Sequence, residues 1–362
     1  MVKSRHGSAR RHHARVTIND VAGRAGVSPM TVSRVINDEG SVRESTRAAV
    51  NVAIRELGYS PNRAAQSLAT GNQMQVCLLY ANPSSTYLSE TLLGALEQVR
   101  ENDTQLVVAE CGGEADAEEI ILEQLKGGIS GVLLVPPLAD SPRLLDLLQE
   151  RDVPAVRMGP QLNGERISSV MIDDRSAARR MTEYLIELGH ERIGFITGDP
   201  RYLVSKARKK GYRDALQAAG IEWRPELVVT GRFSFRSGLD AAERLLALPE
   251  RPTAISASND EMAAAVISVA HRHHIDVPGE LTVTGFDDTL LATTVWPEIT
   301  TIRQPIGEMS HAAINLLTRG IRARRAGGDT VCEHLTLDYS LITRESSASP
   351  ARPDFREKSA GQ

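Results

Sequence analysis

Val16-Thr-Ile-Asn-Asp-Val-Ala-Gly-Arg-Ala-Gly-Val-Ser-Pro-Met-Thr-Val-Ser-Arg-Val-Ile-Asn37 spells two short helices joined by a tight turn. Thr17 can cap a first helix in which Ile18, Val21 and Ala22 fall at i, i+3 and i+4, and Gly26 supplies the permissive backbone that stops it. A second start follows at once. Ser28 can accept the orphan amides of the next helix, and Pro29 suits its first position because the missing N–H has no helical partner there. Val32 and Val35 point inward at i, i+3, which leaves Thr31, Ser33, Arg34 and Asn37 on the outer face. The pattern predicts a helix-turn-helix, whose second helix enters the major groove of DNA and reads base edges and phosphates with polar side chains.

Further along, Ala48, Val52, Ile54 and Leu57 predict the apolar stripe of a third helix, with Gly58 as its C-cap, closing a small headpiece core. Tyr59-Ser-Pro61 breaks the pattern, and residues 62–70 form a short helix-prone piece ending at Gly71. From Gln75 onward the period changes. Short apolar runs at 76–80, 105–109, 131–135 and 153–156 alternate with helical segments such as 88–101 and 115–126. A second set at 192–196, 227–229, 254–257 and 281–284 alternates with helices at 176–188, 207–219, 235–247 and 261–272. Such runs are those of buried parallel strands, so two doubly wound α/β lobes are predicted.

The stretch from residue 16 to Gly71 resembles the N-terminal headpiece of the lac/galactose repressor family, with its T-I-x-D-V-A-x-x-A-G-V-S-x-x-T-V-S-R-V-x-N signature. The junction phrases Leu188-Gly-His-Glu-Arg-Ile193, Arg208-x-x-Gly-Tyr212, Ser258-Asn-Asp260, Val283-Thr-Gly-Phe-Asp-Asp288 and Thr300-Thr-Ile-Arg-Gln-Pro305 resemble its effector domain. The resemblance covers about residues 16–345. It implies a small all-α helix-turn-helix headpiece (16–60) behind a disordered basic arm (1–15). A hinge helix or linker (61–72) and a periplasmic-binding-protein-like effector and dimerisation domain (73–345) would follow. Its lobes would be discontinuous, 73–172 with 302–335 and 173–301 with 336–345, the chain crossing near 173, 301 and 335. The polar, proline-broken segment 346–362 reads as a disordered tail.

The resemblance further implies a sequence-specific transcription regulator, a repressor that binds a palindromic operator as a homodimer and changes affinity with a small ligand, a sugar or sugar derivative. Each headpiece would read one half-site. Arg34 is the first candidate for a base or phosphate contact. Pro29 and Met30 face the groove, Thr31 and Ser33 suit hydrogen bonds to bases or phosphates, and Thr17, Ser28 and Asn37 complete the set. Tyr59 and Asn62 would touch the backbone near the hinge, and Leu68 occupies the position of the leucine that wedges open a minor-groove base step in the family.

Small molecules bind at the carboxyl ends of strands in doubly wound folds. There Arg208 offers a fork of donors, Asp287 and Asn259 accept or bridge hydroxyls, Gln304 adds an amide, and Phe233 offers a flat apolar face. All five match positions that hold ligand in family members, and Tyr87 and Trp296 are weaker candidates. One phrase departs from the family. Where many sugar-responsive members carry an aspartate after the fourth strand, this chain has Arg157-Met-Gly-Pro160, which removes a carboxylate and adds a cation. An unusual oligosaccharide, a sugar acid or a phosphorylated sugar would each suit that change, and a purine corepressor remains an alternative.

Composition fits this division. Residues 1–71 carry eleven Lys/Arg against five Asp/Glu, whereas the whole chain of 362 residues has a net charge of −4. The basic end suits phosphate and the acidic body does not. Cys77, Cys111 and Cys332 are too scattered for a disulfide framework or a metal site. No G-x-G-x-x-G, G-K-[ST], H-E-x-x-H or G-x-S-x-G occurs, and the adjacent carboxylates Asp173-Asp174 and Asp287-Asp288 do not converge as an acid/base pair would. No enzyme, cofactor or metal is expected, and His271, His273 and His274 read as a solvated helix end. Without a membrane span or an apolar signal region, the regulator is expected in the bacterial cytoplasm, associated with the nucleoid. A ligand sensor without a DNA role is the runner-up reading.

Overall fold

The computed structural model describes residues 16–36, 42–59, 74–81, 84–102, 104–160, 167–328 and 331–350. The basic arm, the hinge at 61–72, residues 351–362, and with them Asn37, Asn62 and Leu68, lie outside the described residues. The chain divides into two units, before and after Met74.

The first unit contains the helices Ile18–Ala25, Pro29–Ile36 and Glu44–Leu57. Gly26 and Gly58 end the first and third with φ of 66° and 60°, the left-handed region that glycine enters without strain. Val21, Ala22, Val32, Val35, Val50 and Ala53 form its core. The third helix therefore buries a different stripe from the one expected. Val50 and Ala53 point inward, with Ile54 and Leu57 partly packed, while Ala48 and Val52 are exposed. Positions 50, 53, 54 and 57 keep the i, i+3, i+4, i+7 spacing of one helical face, which 48 and 52 do not share with 54 and 57.

The second unit holds two six-stranded sheets. Strands β1 (Met74–Tyr80), β2 (Thr104–Glu110), β3 (Gly131–Leu134), β4 (Ala155–Met158), β5 (Ser168–Met171) and β11 (His334–Thr336) lie in the order β11-β5-β4-β3-β1-β2. Strands β6 (Ile193–Thr197), β7 (Val228–Thr230), β8 (Ala254–Ala257), β9 (Thr282–Asp287), β10 (Thr300–Arg303) and β12 (Ser340–Ile342) repeat the arrangement as β12-β10-β9-β8-β6-β7. Every pairing is parallel except β10 with β12. The chain passes between the sheets after Met171, after Arg303 and after Thr336. The second and third passages thus fall slightly later than residues 301 and 335, because β10 and β11 run on before the chain leaves their sheets.

Four strands carry no clear apolar run. Ser168-Ser169 interrupts the apolar run of β5, β10 looked like a junction, and β11 and β12 are three-residue edge pieces with little burial. The long helix Ile306–Arg325 buries Met309, Ala313, Ile314 and Leu317 under the first sheet. It crosses the helix Ser85–Glu101 so closely that a Cβ on Gly94 would strike the backbone of Gly307. The described chain also includes residues 346–350, inside the segment expected as a tail. Ser346 is fully buried, its hydroxyl donating to Val283 O at 2.6 Å, and Ala348 O meets His190 Nε2 at 2.9 Å. Burial of these backbone groups outweighs the polar composition.

Candidate functional site

In the first unit the Ser28 hydroxyl accepts the Thr31 N–H at 3.2 Å and holds the start of the second helix. Val32 and Val35 anchor that helix in the core, so Pro29, Met30 and Arg34 are exposed and Thr31 and Ser33 half-buried on the opposite face. Met30 is 66% exposed, unusual for so large an apolar side chain. At the first helix, the Thr17 N–H and hydroxyl both donate to Asp20, at 2.8 and 2.7 Å, and hold that carboxyl below its usual range. Tyr59 is half-buried against the headpiece core.

In the second unit a cleft, partly open to solvent, lies between the two sheets at the carboxyl ends of their strands. Strand β9 ends at Asp287, and both it and the following Asp288 have positive φ, 110° and 59°. This costly backbone turns successive carboxylates opposite ways. Asp287 enters the cleft and accepts the Gln304 side-chain amide at 2.6 Å. Asp288 instead meets Arg303 and Arg344, each at 2.6 Å. Asp173 and Asp174 diverge likewise: Asp173 caps the helix Asp174–Glu187, while Asp174 accepts the Arg208 Nε–H at 2.7 Å.

Arg208, on the helix Leu203–Ala218, organises the cleft. Besides Asp174 it donates to Ser258 O at 2.5 Å, lies 3.8 Å from Asp287, and stacks with its guanidinium carbon 3.6 Å from the centre of the Phe286 ring. Burial pushes the carboxyls of Asp174 and Asp287 above their ordinary range, against the pull of the Arg208 guanidinium. Asn259 caps the helix Asp260–Arg272 by accepting the Met262 N–H at 3.0 Å. Its Nδ2 donates to Phe233 O at 2.9 Å, so one side chain both starts a helix and pins the cleft wall. Phe233 has φ 59° and lies parallel to Tyr202, ring centres 5.9 Å apart. Gly198 makes room for it: a Cβ there would overlap the Phe233 ring. Tyr87, from the first lobe, is buried in the same cleft, and burial raises its phenol pKa.

Six expected residues, Tyr87, Arg208, Phe233, Asn259, Asp287 and Gln304, thus line one cleft. Trp296 does not join them. It is 72% exposed, at a cis peptide to Pro297, and closeness to the strand ends in sequence does not carry it into the cleft. The cation expected from the Arg157 phrase also turns away. Arg157 is fully buried and donates to Asp140 at 3.0 Å, while only Met158 and Gly159 of that phrase line the cleft. An isolated buried guanidinium would be costly, so the nearby carboxylate captures it. Asp174 and Tyr202 line the cleft without having been expected there. Each follows a passage or strand end, the one signal that pointed to them. His271, His273 and His274 are exposed, His273 meeting Glu243 at 2.8 Å. No cluster of three or more metal-ligating side chains occurs among the described residues.

Comparison with known proteins matches residues 17–62 to the model for bacterial regulatory proteins of the lacI family, and residues 182–347 to that for a periplasmic binding protein-like domain. Catabolite control protein A of Priestia megaterium is 34% identical over 344 residues, covering 94% of this chain and 98% of that protein. Among solved structures, a complex of the transcriptional regulator CelR with cellobiose is 34% identical with a TM-score of 0.69. It covers 92% of this chain and 100% of its own. The lac repressor dimer bound to operator and the anti-inducer ONPF has the same coverage, 26% identity and a TM-score of 0.79.

Proposed function

Because the chain belongs to the lacI family of bacterial regulatory proteins, we propose that it is a repressor whose grip on operator DNA is set by a neutral saccharide held between its lobes. It is a DNA-binding transcription regulator that acts on a palindromic operator as a homodimer, with a small-molecule effector. Its relatives are transcription regulators rather than enzymes, and no helix among the described residues is long and apolar enough to cross a membrane. Action in the cytoplasm, without catalysis, is the finer reading.

One observation carries the choice of effector. Among the described residues lining the cleft, the guanidinium of Arg208 already faces two carboxylates, Asp174 and Asp287, and Arg157 is spent on Asp140. No excess positive charge remains for a phosphate or a sugar acid. What the cleft offers is an aromatic wall, Phe233 on Tyr202, beside planar donors and acceptors, the chemistry of a polyol with one apolar face. The cellobiose bound by CelR is a neutral sugar of this kind.

In the headpiece, Arg34, Pro29, Met30, Thr31 and Ser33 read the major groove, with Thr17, Ser28, Asn37, Tyr59, Asn62 and Leu68 supporting contacts along the site. Ligand bridging the lobes changes their angle and so the spacing of the paired headpieces. The coupling is reciprocal, and an inducer must itself bind more weakly when operator is present. Fluorescence anisotropy of a labelled operator, titrated with neutral sugars, sugar acids and sugar phosphates, tests the proposal. Release by a neutral sugar is expected, and response to anionic sugars alone would overturn it.

A further inference from the structure

A second cavity, partly open to solvent, lies beside the central cleft and is shared by both lobes. Gly112, Glu114 and Asp140 come from the first lobe, Arg201 and Tyr202 from the second. Tyr202 lines both cavities. Its ring, packed parallel to Phe233 on the inner side, forms the partition between them. Asp140 stands at the same boundary: its carboxylate lies 3.6 Å from where a Cβ on Gly159 would sit, and Gly159 lines the inner cleft.

The chemistry of the outer cavity repeats that of the inner one. An aromatic side chain stands beside one guanidinium, Arg201, and the exposed carboxylate of Glu114, while the two oxygens of Asp140 are held by Arg157 and the Leu203 N–H. Arg201 donates to Asp199 at 2.7 and 3.0 Å yet stays 78% exposed, so its remaining donors face solvent and the cavity. An anionic group meets the Glu114 carboxylate here and a guanidinium already answered by Asp199, and is disfavoured. Vicinal hydroxyls, which both accept from a guanidinium and donate to a carboxylate, are satisfied.

We propose that the outer cavity is a second sugar subsite, and that the effector is an oligosaccharide of two or more units. One unit lies on Phe233 and Arg208, and the next passes Tyr202 into the space between Glu114 and Arg201. This rests on the saccharide reading of the central cleft and adds chain length to it. Gly159 fits the same picture, because its lack of a side chain leaves the boundary between the two subsites open for the glycosidic link.

Isothermal titration of the full-length protein with matched pairs tests this: glucose against cellobiose and maltose, xylose against xylobiose, galactose against melibiose. One disaccharide is expected to bind at least about tenfold tighter than its monosaccharide. Arg201→Ala and Glu114→Ala, at exposed or half-exposed positions outside the central cleft, should erase that gap while leaving monosaccharide affinity, operator binding and thermal midpoint unchanged. A monosaccharide that binds as tightly as its dimer, or a gap that survives both substitutions, overturns the second subsite and leaves the saccharide reading standing. Operator binding with no response to any of these sugars overturns both.

Discussion

The carboxylate of Asp140, in the first lobe, accepts the backbone N–H of Leu203 at 2.8 Å, and Leu203 opens the helix of the second lobe that carries Arg208. The other Asp140 oxygen is held by Arg157 at 3.0 Å. A second link between the lobes joins Ser84 and Thr86 to Glu261, at 2.9 and 3.2 Å. Together they bridge the two lobes beside the cleft.

Removing Asp140 takes a carboxylate partner from a fully buried guanidinium. Asp140→Ala should destabilise the second unit by about 3–5 kcal/mol, read as a lower urea midpoint. Asp140→Leu combined with Arg157→Met should recover most of that loss. Effector affinity should nevertheless stay reduced in the double variant, since the bond to Leu203 is gone. A single variant as stable as the parent would show that the pair does not matter.

Arg208 is the cation to which the inner cleft is fitted. Arg208→Ala should lower sugar affinity by about a hundredfold, the scale of losing charge-assisted hydrogen bonds worth roughly 2–5 kcal/mol in a desolvated site. Operator binding should persist but no longer respond to sugar. Anisotropy with and without sugar separates this from unfolding, which would abolish both.

Arg34→Ala should weaken operator binding by roughly 1–3 kcal/mol and leave sugar titration untouched. If Arg34 meets a base edge, the loss concentrates on one operator position; if it meets phosphate, the loss is uniform and the salt slope drops by about one. Binding curves on single-base operator variants at two salt concentrations decide between these.

Gly198→Ala should displace Phe233, because the added methyl group would occupy the space of its ring. Overpacking of this kind costs about 1–3 kcal/mol. Sugar affinity should fall with stability, while the headpiece still binds operator.

His190 ties the end of the described chain to the second lobe. Its ring nitrogens meet Thr253 Oγ1 and Ala348 O, both at 2.9 Å, and burial lowers its pKa from the usual 6.5. A group with a depressed folded pKa binds its proton more readily when unfolded. Its contribution to stability is therefore complete above about pH 6.5 and is lost as pH falls toward the folded pKa. Thermal midpoints measured between neutral and mildly acidic pH should drop more steeply for the parent than for His190→Gln. Parallel curves would mean that His190 does not titrate in this window.

The headpiece was legible because its signals are local. Thr17, Ser28, Pro29 and Gly26 act on the backbone within four residues of themselves, and Val32 and Val35 share a face by helical period alone. The same reasoning misplaced Ala48 and Val52, where several apolar residues competed for the stripe and only packing against the other helices chose Val50 and Ala53. In the second unit, buried parallel strands were visible as apolar runs, whereas β5, with Ser168-Ser169, and the edge pieces β11 and β12 owe their pairing to neighbours far along the chain. Trp296 was drawn into the candidate site by proximity in sequence, and its exposure shows how little that proximity constrains direction.

By itself the sequence determined the helix-turn-helix, the alternating α/β body and the residue types gathered at the strand ends, since caps, turns and hydrophobic period are near-neighbour properties of the chain. Only the tertiary structure decided where the charges go. Arg157 is answered by a carboxylate 17 residues earlier, and that carboxylate also reaches an amide 63 residues onward in the other lobe. Arg208 is answered by Asp174, 34 residues before it. A buried charge must find a partner wherever the fold brings one close, and that distance is set by packing rather than by spacing along the chain.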